Sequence, residues 1–134
     1  GIVGLAEALY QSQTKAAAES KRLTTLRNYF WSGVQKIYPQ AHLNGDPSHR
    51  LPNNLNISFP GYEGETLLYK LDKVGVAVST GSACSETSQE PSHVLKALGL
   101  SPKLANSSLR FSLGRQTTKK DLQFVLKTLK KILK

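Results

Sequence analysis

The only cysteine of the chain, Cys84, lies in Ser79-Thr80-Gly81-Ser82-Ala83-Cys84-Ser85-Glu86-Thr87-Ser88-Gln89, a stretch of small and polar residues with neither a helical nor a strand period. By type alone a free cysteine packs as a small, inert hydrophobe. Here no apolar neighbour larger than Ala83 lies within five positions on either side, so burial would gain little. An exposed thiol on a long loop is expected instead. As a thiolate it can attack an electrophilic sulfur or carbonyl, provided a cation or a helix N-terminus holds its pKa near neutral. No certain activator is visible. His93, nine positions on, reads more simply as a surface or capping histidine than as a base.

The second candidate is Arg110. Ser108-Leu109-Arg110-Phe111-Ser112-Leu113 alternates with period two, which turns Leu109, Phe111 and Leu113 inward and Ser108, Arg110 and Ser112 to the opposite face. A planar guanidinium on an outward strand face can grip both oxygens of a carboxylate, as lysine cannot. The same position also suits a surface ion pair of little energetic value, and the residue chemistry leaves both roles open.

The elements that must position these groups follow from periodicity. Between Ile2 and Tyr38 the apolar residues Leu5, Leu9, Leu23, Leu26, Phe30, Val34 and Ile37 recur at helical spacing, predicting one long helix or two pieces ended by Pro39. Leu43-Asn44-Gly45-Asp46-Pro47 is a turn cluster after a short strand. Asn54 to Phe59 alternates, with Leu55, Ile57 and Phe59 on its core face. Glu63 to Leu71 reads as a helix and the β-branched Val74-Gly75-Val76-Ala77-Val78 as a strand. Pro91 to Leu98 predicts a short helix ended by Gly99, and Ser101-Pro102 starts another turn of helix. Thr118-Lys119-Lys120-Asp121 resembles a capping box, followed by the apolar stripe Leu122, Val125, Leu126, Leu129 and Leu133.

Bulk properties narrow the class. A chain of 134 residues with 39% apolar and 20% charged residues suits one folded domain around one core. No apolar run approaches the roughly 20 residues of a membrane helix, and no export signal opens the chain, so a cytoplasmic protein is expected. One cysteine and three scattered histidines exclude an internal disulfide and offer no metal-ligand spacing. The net charge of +9 points to an anionic partner. Lysines crowd the last helix with few aromatics between them, which disfavours single-stranded nucleic acid.

Ser79-Thr80-Gly81-Ser82-Ala83-Cys84, Glu90-Pro91-Ser92-His93-Val94-Leu95-Lys96-Ala97-Leu98-Gly99 and Asn106-Ser107-Ser108-Leu109-Arg110-Phe111-Ser112-Leu113-Gly114-Arg115 together resemble the C-terminal part of group I cysteine desulfurases. Leu51-Pro52-Asn53-Asn54-Leu55-Asn56-Ile57-Ser58-Phe59-Pro60-Gly61, Glu63-Gly64-Glu65 and the opening Gly1-Ile2-Val3-Gly4-Leu5-Ala6-Glu7-Ala8 are similar to the same family, so the resemblance runs in order along nearly the whole chain.

The resemblance implies the small domain of a pyridoxal phosphate enzyme that converts L-cysteine to L-alanine, works as a homodimer and hands sulfur to an iron-sulfur scaffold or another acceptor protein. The family's catalytic cysteine, which carries the persulfide on a mobile loop, matches Cys84, and its substrate-carboxylate arginine matches Arg110. The large domain with the cofactor lysine has no counterpart in residues 1–134, so the chain is expected to be inactive alone. His93 stands where group I enzymes often have tyrosine, and no catalytic role is carried over to it. The expected fold is α+β: a small, mostly antiparallel sheet from strands near 42, 55, 76 and 110, with helices packed on one face. Two other readings remain, a stand-alone sulfur carrier that works without pyridoxal phosphate and a basic nucleic-acid-binding domain.

Overall fold

The computed structural model describes residues 1–80 and 92–133. The elements run α1 (Ile2–Ile37), β1 (His42–Leu43), β2 (Asn54–Ser58), α2 (Gly64–Asp72), α3 (His93–Ala97), α4 (Pro102–Asn106), β3 (Ser108–Ser112) and α5 (Lys119–Ile132). The three strands form one antiparallel sheet in the order β1-β2-β3, so the α+β reading holds.

One face of the sheet carries the core. Leu55 and Ile57 of β2 and Leu109 and Phe111 of β3 point into it, as strand alternation requires. They meet Leu23, Phe30 and Val34 of α1, Leu67 and Leu71 of α2, and Leu122 and Leu129 of α5. Phe30 and Phe111 pack edge to face with ring centroids 5.0 Å apart, the geometry that aligns ring edge and ring face favourably. Each fully buried leucine or phenylalanine here stabilises the fold by about 1.5–3 kcal/mol relative to exposure.

The first helix is a single element of 36 residues, about 54 Å long, whereas a five-residue strand spans only about 17 Å. The helix therefore outruns its core. Leu23, Phe30 and Val34 are buried, but Leu5 and Leu9, expected on the same core face, are 72% and 54% exposed.

The expected strand over Val74–Val78 does not form. Gly75 has φ +79, the left-handed conformation that caps a helix. The Gly75 and Val76 amides donate back to the carbonyls of Asp72 and Leu71, at 2.8 and 3.1 Å. Half of the proposed strand is thus the C-terminal cap of α2. Val76 and Val78 still pack against the core, which accounts for their periodicity, and only Ser79 pairs with the sheet, through an isolated bridge to Arg110.

The final helix follows its sequence closely. Thr118 Oγ1 accepts from the Asp121 amide at 3.3 Å, and the Thr118 amide donates to the Asp121 carboxylate at 2.8 Å, completing the capping box.

Candidate functional site

Arg110 lies at the middle of β3 opposite Asn56 of β2, and its residue is exposed on the face away from the helices. The expectation for its direction is met. That face is polar because each register pair contributes polar side chains: Asn54 with Ser112, Asn56 with Arg110, Ser58 with Ser108.

On its other edge Arg110 meets Ser79. The Arg110 amide donates to the Ser79 carbonyl at 2.6 Å, and the Ser79 amide returns a bond to the Arg110 carbonyl at 3.2 Å. Thr80 is the last described residue before the segment that contains Cys84, so that segment departs from a point bridged to Arg110. Cys84 itself lies outside the described residues. His93 is the first residue of α3 and is exposed. Neither its place nor its partners assign it a chemical role.

Sequence periodicity does not reveal the support beneath this face. Asn44, expected only as part of a turn, is 2% exposed and reaches into the sheet. Its Nδ2 donates to Asn56 Oδ1 at 2.6 Å and Ser58 Oγ at 2.8 Å, while its Oδ1 accepts from Ser58 Oγ at 3.2 Å. Ser58 and Ser108 share a hydroxyl contact of 3.1 Å, and Ser108 Oγ donates to the Ala105 carbonyl at 2.7 Å. Alternation puts Ser108 on the face opposite Leu109. It does face away from Leu109, but the end of α4 and Asn44 cover it, leaving it 1% exposed. Because Asn44 holds Asn56 Oδ1, the amide NH2 of Asn56 is left as the group that can donate beside Arg110.

Gly64, at the start of α2, is a second element that spacing alone could not reveal. A Cβ placed there would lie 2.7 Å from the Ser108 carbonyl oxygen, 2.9 Å from that of Asn106 and 3.4 Å from Thr80 Cγ2. The absent side chain lets α2 press against the end of β3 and the root of the Cys84 segment. Beside it an open groove of about 650 Å³ runs between Pro60–Glu63 and α4, with Glu63 and Lys103 as its charged groups.

Among the described residues no three metal-ligating side chains converge, and no helix is long and apolar enough to cross a membrane. Every described lysine is exposed. None of the described lysines is thus enclosed by the described residues, as the amine of a covalently held aldehyde cofactor would be.

Aminotransferase class-V is the family whose sequence profile matches residues 1–125. The chain belongs to that family. It is 49% identical over 133 residues to cysteine desulfurase IscS of Dictyoglomus turgidum, covering 99% of this chain and 34% of that protein. Against the Clostridium botulinum cysteine desulfurase IscS the identity is 47% over 136 residues, covering 100% and 34%. Among solved structures, a NifS-like protein superposes with a TM-score of 0.86 at 32% identity over 99% of this chain and 33% of that one. DndA from Streptomyces lividans superposes with a TM-score of 0.58 at 32% identity, covering 83% and 30%. This class-V aminotransferase chain thus spans about a third of the length of the curated relatives it matches.

Proposed function

We propose that residues 1–134 are the small C-terminal domain of a cysteine desulfurase, in which Arg110 holds the carboxylate of L-cysteine and Cys84 takes its sulfur. The observation that carries this reading is the Ser79–Arg110 bridge. It ties the root of the thiol-bearing segment to the strand that presents a guanidinium on a polar face. Cys84 follows Thr80 by four positions, so its Cα can lie no more than about 14 Å from that root.

The reaction balances without an added oxidant. The S–S bond to Cys84 Sγ forms as the substrate C–S bond breaks, the thiol proton replaces sulfur on carbon, and the products are L-alanine and a persulfide. Arg110 contributes charge-assisted, two-point binding, which fixes the substrate's orientation. Pyridoxal phosphate is the cofactor of the proposed whole enzyme and would supply the electron withdrawal that weakens the C–S bond. Its attachment lysine is not among the described residues. Lys73, for example, lies on the surface with Nζ 4.5 Å from the Tyr69 ring centre. A cytosolic, homodimeric enzyme passing sulfur to an iron-sulfur scaffold or another acceptor completes the reading, which the relatives named cysteine desulfurase support.

The experiment joins the chain to the rest of its gene and measures alanine released from L-cysteine. Release from the whole protein, and none from residues 1–134 supplied with pyridoxal phosphate, is expected. A stoichiometric cofactor absorbance band from the purified chain would contradict the reading. Persulfide uptake from a donor enzyme by the chain alone, coupled to a whole protein that makes no alanine, would favour the sulfur carrier.

A further inference from the structure

We propose that the outer face of α5 is a docking site for an acidic amphipathic helix of another protein. This surface is independent of the sulfur chemistry. Lys120, Phe124, Lys127 and Lys131 follow spacings of four, three and four residues and so line one stripe about 16 Å long. The stripe points away from the buried Leu122 and Leu129 of the same helix. All three lysines are exposed, and Phe124 is 51% exposed between them.

The helix's own stability does not account for this stripe. Lys127 and Lys131 are like charges one turn apart, an arrangement that weakens a helix. A cation suits the C-terminal end of a helix dipole but opposes the N-terminal end, where Lys120 sits. Lys119 at least lies over the Tyr29 ring, 4.8 Å from its centre. The only acid of α5, Asp121, is engaged by Thr118 in the capping box. Among the described residues the ion pairs are Arg22–Glu19 and His49–Asp46, so no described carboxylate forms an ion pair with the stripe; Asp121 feels the charge of Lys120, but its Oδ2 accepts from Thr118.

Its chemistry selects the occupant. An exposed ring flanked by ammonium groups matches an apolar row bordered by carboxylates, where Phe124 would be the buried anchor and the lysines the surrounding charges. Nucleic acid would meet the lysines but leave Phe124 with nothing to bury against, and successive aromatics for stacking are missing. A bilayer would require an apolar face, and the apolar face of α5 is already in the core.

The test titrates the purified chain with a labelled synthetic helix that has leucines at i, i+3, i+4 and i+7 and glutamates elsewhere. A DNA duplex and phosphatidylserine vesicles are titrated in parallel. Binding to the peptide should weaken as salt rises, fall roughly tenfold or more in the combined Lys120→Glu, Lys127→Glu, Lys131→Glu variant, and fall severalfold in Phe124→Ala with its salt dependence kept. If the reversed variant loses its helical circular dichroism, the corresponding triple Gln variant takes its place. Unchanged peptide binding in these variants, or tighter binding of the duplex or the vesicles than of the peptide, would overturn the proposal.

Discussion

At the residue scale, Arg110 was legible because alternation needs only a count, and Leu109 and Phe111 on either side of it are buried as expected. Its setting was not, since Asn56 and Ser79 come beside it through strand register and a bridge that link distant parts of the chain. In the proposed cysteine desulfurase, Arg110→Lys should lower kcat/KM for L-cysteine about tenfold or more, because one charge-assisted bond of about 1.5–3 kcal/mol would be lost with the fork. The backbone pairing does not depend on the side chain, so stability should stay within about 1 kcal/mol of wild type. Equal kcat/KM, or an unfolded variant, would make Arg110 structural. Asn44 was hidden for the opposite reason. Its turn-forming neighbours Gly45 and Pro47 suggest a loop, and nothing local reveals that its side chain lies within the sheet.

At the element scale, the capping box and the stripe of α5 could be read because both are local patterns, whereas the missing strand at Val74–Val78 shows a cap overriding β propensity. Gly64 is the point where α2 meets β3 with least room. Gly64→Ala places its Cβ against backbone oxygens of Ser108 and Asn106 that cannot rotate away, and chemical denaturation should report a loss of about 1–3 kcal/mol. A loss below a few tenths would mean that α2 can shift freely. In the core, Leu129, 0% exposed, should cost about 2–5 kcal/mol when replaced by alanine.

The Asp121 carboxyl is held below its ordinary range, first by the Thr118 amide and then by the Thr118 hydroxyl. Asp46 is held low by the amides of His49 and Ser48. Since the folded values are depressed, both contributions are complete above the unfolded carboxylate value near pH 4 and are lost as pH falls through the folded values. Thermal melts should therefore show wild type losing its advantage over Asp121→Asn below about pH 4. A constant difference from neutral to acid pH would refute this assignment.

At the scale of the whole molecule, α1, α2 and α5 cover one face of the sheet, while the opposite polar face is covered by α4 and Asn44 at its Ser58–Ser108 end and leaves Arg110 exposed. Resemblance extended the reading further than periodicity could, because the class-V match spans residues 1–125 while no local pattern names a substrate. It did not supply the support beneath Arg110, which depends on how Asn44, Ser58 and Ser108 meet in three dimensions. Whether Cys84 accepts sulfur, as proposed, is decided by mass spectrometry of the Cys84 peptide. The whole protein is mixed with L-cysteine labelled at sulfur and trapped with an alkylating agent. A gain of one labelled sulfur atom on that peptide, absent from Cys84→Ser together with alanine release, is predicted. Alanine release that persists in Cys84→Ser, or label found only on other residues, would rule out Cys84 as the sulfur acceptor.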